Sequence, residues 1–416
     1  MPLFSPRFHP GHRVQLLQGA QELFPALVRA MDAARTSVLL ETYIFDTTGA
    51  GADIARALAR AAARGVRTQL VVDGVGTGRL PAHWFAHLRS AGVQVRVYAP
   101  LGPLGLLLPG QWRRLHRKLC VVDGTVLFCG GINILDDFHD PHFGALPAPR
   151  FDFAVRTEGA LVAQAQATME QLWWRLQAVH DARHYHLPQA VQALREAGVG
   201  LHMGVGQRTR SRTRAHSAHG LGMRAALLLR DNLRHRSRIE RAYRRAIAMA
   251  REDIIIANAY FLPGGKLRRA LVLAAQRGVR VRLLLQGRYE YFMPHHAVRP
   301  VYHTLLQAGV EIYEYAPSFL HAKVAVIDAQ GRRPWATVGS SNLDPLSLLL
   351  AREANVVVRD KDFASELRQR LRHAMHTAGR RVGAQQFEQR PWRERVLDQV
   401  AHALMRAALW VTGNRY

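Results

Sequence analysis

Short continuous apolar runs alternate along the chain with stretches whose apolar residues recur at helical spacing, and the whole pattern occurs twice. The run SVLLETYIF at 37–45 returns as DIIIANAYF at 253–261. AAARGVRTQLVVDG at 61–74 returns as AAQRGVRVRLLLQG at 274–287, and LRSAGVQVRVYAP at 88–100 returns as LLQAGVEIYEYAP at 305–317. Each half then reaches one more apolar strand, HRKLCVVD at 116–123 and HAKVAVID at 321–328. The predicted order in each unit is strand, amphipathic helix, strand, helix, short strand, and the strand that starts at histidine. Alternation of this kind packs as a parallel or mixed sheet covered on both faces, so the fold class is α/β built by duplication.

The run VGQRTRSRTRAHSAH at 205–219 is basic, polar and aperiodic, and reads as a linker or an exposed anion-binding loop. It divides a first unit at 1–204 from a second at 220–375, and residues 376–416, beyond the repeat, read as a helical tail. A length of 416 residues suits two domains of similar size.

Charge is the compositional anomaly. A net charge of +26 implies an anionic partner, either nucleic acid or a surface rich in acidic lipid. Among the 57 basic residues the only lysines are Lys118, Lys266, Lys323 and Lys361, and two of these lie in the repeated histidine strands. An ammonium kept against an arginine background is informative, because the two cations are not interchangeable where geometry matters. Cys120 and Cys129 are too few for a zinc site or a disulfide framework and read as small buried hydrophobes in a reducing compartment. The N-terminal stretch MPLFSPRFHPGHRVQLLQG has no apolar signal core, and no segment approaches the roughly 18 apolar residues that span a bilayer. Membrane contact is therefore expected to be peripheral.

The repeated strands share the pattern H-x-K-x-x-x-x-D. Residues two apart on a strand share a face, so His116 and Lys118 point one way while Asp123, seven on, points to the other. His321, Lys323 and Asp328 repeat this arrangement. One face thus offers an imidazole beside a fixed cation, suited to holding a phosphate oxygen while nitrogen approaches phosphorus; the aspartates are expected to serve structure. A lone histidine on a strand is usually a core residue. Two copies at corresponding places of a repeat, each followed by a Gly-rich Asn turn (GGIN at 130–133, GSSN at 339–342), are not readily accidental.

This doubled pattern resembles the phospholipase D superfamily over about residues 10–375, and GSSNLDPLSLLLAREANVVV at 339–358 looks most like the bacterial cardiolipin synthases of the shorter type without transmembrane helices. The resemblance implies two tandem phospholipase D-like α/β/α units and a mechanism with no metal or cofactor. In the family one motif histidine attacks phosphorus, forming a phosphohistidine, and the other protonates the leaving oxygen and then deprotonates the incoming alcohol or water. Carried over, His116 is the nucleophile and His321 the acid. Lys118, Lys323, Asn133 and Asn342 would hold the non-bridging oxygens, and Asp152 and Glu353 would orient the histidines. The family's usual N-x-E reads Ala351, Arg352, Glu353 here, which keeps the carboxylate.

Other features bear on the substrate. The apolar loop LGPLGLLLPGQWRRL at 101–115 runs through Trp112, Arg113 and Arg114 into His116, and suits dipping into acyl chains while cations hold lipid phosphates; an ordinary loop covering the sheet end is the alternative. In the tail, Val396, Leu397, Val400, Leu404, Met405, Ala408 and Leu409 recur at helical spacing, so that helix either lies on a membrane or packs against the core. DDFHDPH at 136–142 has metal-ligand residue types without a metal-site spacing, and reads as a headgroup-facing or solvated loop. His180 and His184 read as a solvated helix end. His295 and His296, beside Arg299, read as an entrance border or a surface loop. Basic residues crowd between Arg208 and Arg245, with Tyr243 alone among them as an aromatic, which favours anionic membrane over nucleic acid.

The expected function is a phosphatidyltransferase, peripheral on the cytoplasmic face of a bacterial inner membrane, that makes cardiolipin from phospholipid donor and acceptor. A hydrolytic phospholipase D is the nearest alternative, followed by a nucleic-acid phosphodiesterase and a non-catalytic membrane scaffold.

Overall fold

In a computed structural model the chain is described over residues 6–411, except 101, 103–112, 142, 184–185, 207–221, 232–236, 289–291, 345–350 and 389. Most of the apolar loop at 101–110, Trp112, His142, His184, the basic run from 207 onward, and the side chains of His295, Ala408 and Leu409 lie outside the described residues.

The first unit supplies β1 (His9–Gln18), β2 (Ser37–Thr42), β3 (Arg67–Asp73), β4 (Gln94–Tyr98), β5 (Arg114–Leu115), β6 (Lys118–Val122), β7 (Val126–Gly130), the small hairpin β8 (His139–Asp140) and β9 (Gly144–Ala145), and β10 (Phe153–Glu158). The second supplies β11 (Met223–Arg230), β12 (Asp253–Asn258), β13 (Arg280–Gln286), β14 (Glu311–Tyr315), β15 (Lys323–Ile327), β16 (Trp335–Gly339) and β17 (Ala351–Arg359). Strand order is the same in both: β1-β10-β7-β6-β2-β3-β4 in the first and β11-β17-β16-β15-β12-β13-β14 in the second. The repeat is therefore a repeat of fold. Strands joined through helices are parallel (β2 with β3, β3 with β4), whereas the motif strand β6 is antiparallel to β2 and to β7 across a tight turn. The two half-sheets are joined edge to edge by antiparallel pairing of β1 with β11.

Helices cover the sheet on both faces. In the first unit α1 (Gly19–Asp32), α2 (Gly51–Ala63) and α3 (Ala82–Ser90) bury Leu27, Ile54, Leu58 and Leu88. In the second, α6 (Arg238–Met249), α7 (Gly265–Gln276) and α8 (Phe292–Gln307) bury Ile247, Leu271 and Leu305. Between these outer helices and beyond the sheet lies a core that both units share, where Leu119, Val121 and Phe153 meet Val324, Val326 and Val356. Two helices close it: α4 (Leu161–Arg183), which pairs with α5 (Leu187–Gly206), and α9 (Lys361–Ala378). Because this core is common, the site that forms where the two units meet is held from both sides. Cys120 and Cys129 are buried, and burial pushes both thiols up to about 12.

The tail is not wholly helical. It begins with β18 (Gly379–Arg381), which pairs with the outer strand β14, before α10 (Ala384–Glu388) and α11 (Trp392–Val411). A three-residue strand reading GRR has no apolar alternation by which a sequence would announce it.

Candidate active site

Each motif histidine reaches its place by crossing to the other unit. Leading into His116, β5 pairs in parallel with the start of β17, and the His116 amide donates to the Arg352 carbonyl at 3.1 Å. The arrangement repeats at the other end, where the Phe151 amide donates to the Phe319 carbonyl and the His321 amide to the Phe151 carbonyl, both at 2.9 Å. These short pairings set the side chains. His116 Nδ1 lies 3.0 Å from Glu353 Oε1, and His321 Nδ1 lies 2.7 Å from Asp152 Oδ2. Every histidine is thus oriented by a carboxylate from the opposite unit, and engagement of Nδ1 leaves Nε2 for the reacting atom.

The two pairs are electrostatically unequal. Burial works against the Glu353 carboxylate, but the adjacent His116, Arg230 and Lys118 outweigh it and hold its pKa below the ordinary range. Arg230, itself buried, sits opposite Glu353 in the β11/β17 register. The Asp152 backbone is held by the Gly19 amide, which donates to the Asp152 carbonyl at 2.9 Å. There burial prevails, raising the Asp152 carboxyl to about 7 despite Lys323. Burial also lowers both imidazoles, His321 well below its usual value.

Lys118 Nζ donates to the His116 carbonyl at 2.7 Å, and Lys323 Nζ donates likewise to the His321 carbonyl. Both ammonium groups are buried beneath the histidines, and burial brings Lys118 down to about 7. The motif aspartates stand away from this centre. Asp123 accepts hydrogen bonds from the amides of Arg35, Thr36 and Ser37 and from the Thr36 hydroxyl, and Asp328 accepts from the amides of Arg251, Glu252 and Asp253. Each ties the end of its motif strand to the start of the neighbouring strand, in a left-handed turn (φ 50° and 48°) that aspartate tolerates better than most residues.

Asn133 and Asn342 line the pocket with the two histidines and Asp152. Asn133 Oδ1 also accepts from the Ile44 amide at 3.2 Å, which fixes its turn. The first turn has Gly131 where the second has Ser340, whose hydroxyl donates to Glu353. A Cβ at 131 would fall 2.4 Å from Asp152 Oδ1. Gly131→Ala is therefore expected to displace Asp152 from His321 and lower kcat by on the order of 100-fold, measurable by steady-state turnover.

The pocket encloses about 890 Å³ and is lined from both units, with Tyr43, Arg114 and Arg150 on one side and Gln286, Arg288 and Phe319 on the other. The Tyr43 ring packs 5.0 Å from His116, and Lys118 Nζ lies 5.4 Å from its centroid. No motif of the sequence marks Tyr43, Arg150, Arg230, Gln286 or Arg288, nor the buried ion pair that Glu41 makes with Arg117, the residue between His116 and Lys118. Of the lesser clusters, Asp137 and Asp140 face the pocket, Asp140 paired with Arg150 at 2.6 Å. His296 is on a helix rather than a loop, with Nδ1 2.7 Å from Asp398 of the tail, and Arg299 lines the pocket. His180 stays half-exposed near the end of α4 beside Asp181. Among the described residues no helix is long and apolar enough to cross a membrane.

A family model described as "Cardiolipin synthase, PLD-like domain" matches residues 27–144 and 243–375, the two copies of the repeat. Cardiolipin synthase B of Escherichia coli is 35% identical over 391 residues, covering 92% of this chain and 85% of that relative. A cardiolipin synthase of Halalkalibacterium halodurans is 28% identical over 393 residues, covering 94% of this chain and 71% of the relative. Among solved structures, the phosphatidylserine synthase of Haemophilus influenzae superposes with a TM-score of 0.65 at 11% identity, covering 98% and 97% of the two chains, a likeness of fold. The doubled motif, the duplicated sheet and these matches agree: the chain belongs to the cardiolipin synthase family of phospholipase D-like proteins.

Proposed function

We propose that this protein is a phosphatidyltransferase that forms cardiolipin by moving a phosphatidyl group from one phospholipid to a hydroxyl of another. The observation that carries the reading is the crosswise pairing of two histidines with two carboxylates around one basic pocket. His116 Nε2 attacks phosphorus as the bond to the headgroup oxygen breaks, and that oxygen takes its proton from His321. The acceptor hydroxyl then gives its proton to His321 as its oxygen attacks phosphorus and the N–P bond breaks. Glu353, held ionised, stabilises the charge that develops on His116, which supports the assignment of that histidine as nucleophile. Lys118, Lys323, Asn133 and Asn342 neutralise and orient the phosphate. The basic surface suits a peripheral enzyme on the cytoplasmic face of the bacterial inner membrane, drawn there by anionic lipid.

Two proton inventories set the pH range. His116 must be neutral, and burial keeps its pKa below 6.5, so this limb falls on the acid side. The His321–Asp152 pair must keep one proton, and with Asp152 raised to about 7 it does so up to neutrality, then loses it. The kcat/KM profile on a short-chain soluble phospholipid is expected to be a narrow bell. Asp152→Asn leaves the proton to His321 alone, whose own pKa lies well below 6.5, so the alkaline limb moves to lower pH while the acid limb stays.

Mass spectrometry of lipids formed on phosphatidylglycerol vesicles tests the reaction. Cardiolipin with release of glycerol is expected; intact lipid, with phosphatidylethanolamine or phosphatidylserine also unconsumed, would refute it. Phosphatidic acid that glycerol titration does not divert would favour the hydrolytic reading.

A further inference from the structure

Helix α11 turns Asp398 and His402 inward. Asp398 is 3% exposed and lies against α8, 2.7 Å from His296 Nδ1 and 2.9 Å from Arg390 Nη2. His402 Nδ1 lies 2.9 Å from the Ala297 carbonyl, and Ala401 is buried beside them. The outward face carries Trp392, Val396, Val400 and Leu404, 69%, 53%, 49% and 56% exposed among the described residues. Spaced four apart, these form one stripe along the helix, with Leu397 on its flank. A helix docked on a water-soluble protein ordinarily does the reverse, because exposing four large apolar side chains in a row forgoes their burial.

The stripe leads to the site. Met405, next to Leu404, lines the active-site pocket with Arg299 and Tyr302 of α8. Exposed apolar residues occur at another part of the rim too: Phe138 and Phe143 are 45% and 47% exposed, and the Phe143 ring packs 5.2 Å from Phe319, which lines the pocket. A phospholipid with its phosphate at the histidines must send its acyl chains out past such a rim. Arg393 and Arg395 are exposed on the same helix, in a chain of net charge +26.

We infer that the outward stripe of α11 is the surface on which this protein seats itself on an anionic phospholipid bilayer, holding the mouth of the pocket against the lipid. The inference rests on the phospholipid-transfer reading. The polar inner face anchors the helix to α8 through His296, Asp398 and Arg390, and the apolar outer face enters the acyl boundary while the arginines meet lipid phosphates.

Flotation with vesicles of phosphatidylglycerol and phosphatidylethanolamine tests it on the full chain carrying Val396→Asp, Val400→Asp and Leu404→Asp together. Vesicle partitioning is expected to fall at least tenfold, with turnover of a monomeric short-chain phosphatidylglycerol unchanged. A second measurement leaves the stripe nearly intact: because both native cysteines are buried, Val400→Cys accepts an environment-sensitive fluorophore selectively. Its emission is expected to shift to the blue on adding anionic vesicles and not before. Unchanged partitioning of the triple variant, or no shift, would overturn the inference while leaving transfer chemistry intact. A blue-shifted emission before lipid is added, with a dimeric mass in solution, would overturn it in favour of a second copy covering the stripe. Failure of wild type to turn over the monomeric substrate would instead refute the reading of the reaction.

Discussion

Replacing His116 by alanine is expected to lower phosphatidyl transfer by on the order of 10⁴-fold or more, with little change in thermal midpoint. The side chain makes its principal contact with Glu353, and that carboxylate keeps Ser340 and the nearby Arg230 when the imidazole is gone. In the proposed mechanism His321→Ala removes a proton donor rather than the nucleophile, so a loss of about 10²- to 10⁴-fold is expected, least with a donor whose leaving alcohol is already acidic. Asp152, then without its partner, still has burial favouring its neutral form against the opposing Lys323 and Lys118. The two losses should not add, because both residues serve one phosphorus. Steady-state assay of both single variants and the double variant, beside thermal melts, checks all of this.

Asp123→Ala is expected to have the opposite profile, destabilising the fold by about 2 kcal/mol while turnover per folded molecule stays within about twofold. The carboxylate accepts from three consecutive amides and one hydroxyl at the head of β2, and alanine offers none of these acceptors. Asp328→Ala should behave alike, since Asp328 holds the head of β12 in the same manner. Burial is the largest single influence on Asp123 and raises its pKa, but the amides of Ser37, Thr36 and Arg35 and the Thr36 hydroxyl together outweigh it and hold the pKa below the usual value. A depressed carboxylate contributes stability that is present above its unfolded pKa and lost as pH falls through the folded one. Wild type should therefore lose this contribution only in acid below the ordinary aspartate range, and the alanine variant should lack it at every pH. Denaturant titrations at neutral and acid pH would reveal the difference.

Much of the fold is legible in the sequence because parallel strands need crossover helices, and the resulting change of periodicity recurs in both halves. The motif histidines and lysines were equally legible, since a pattern repeated in register is hard to produce by chance. The crossing of the halves was not. It depends on β5 and on the bridge of Phe151 with Leu320, segments too short to carry a period, and it joins histidine to carboxylate across 237 residues in one pair and 169 in the other. Asp152 and Glu353 could be placed only by resemblance, and nothing along the chain says which histidine each one serves. Nor does local pattern show that Arg230 stands beside Glu353, for its position is owed to strand register. In the tail, helical spacing reveals an amphipathic helix, but only the contacts of Asp398 and His402 with α8 show that its apolar face is the outer one.

The measurement closest to the central claim is identification of the covalent intermediate. Enzyme mixed with phosphatidylglycerol, quenched in denaturant at mildly alkaline pH during the first turnover and mapped by peptide mass spectrometry, should carry the phosphatidyl group on His116 and on no other residue. An adduct on His321 would reverse the two roles, and a first turnover that yields product with no adduct on either histidine would contradict the mechanism.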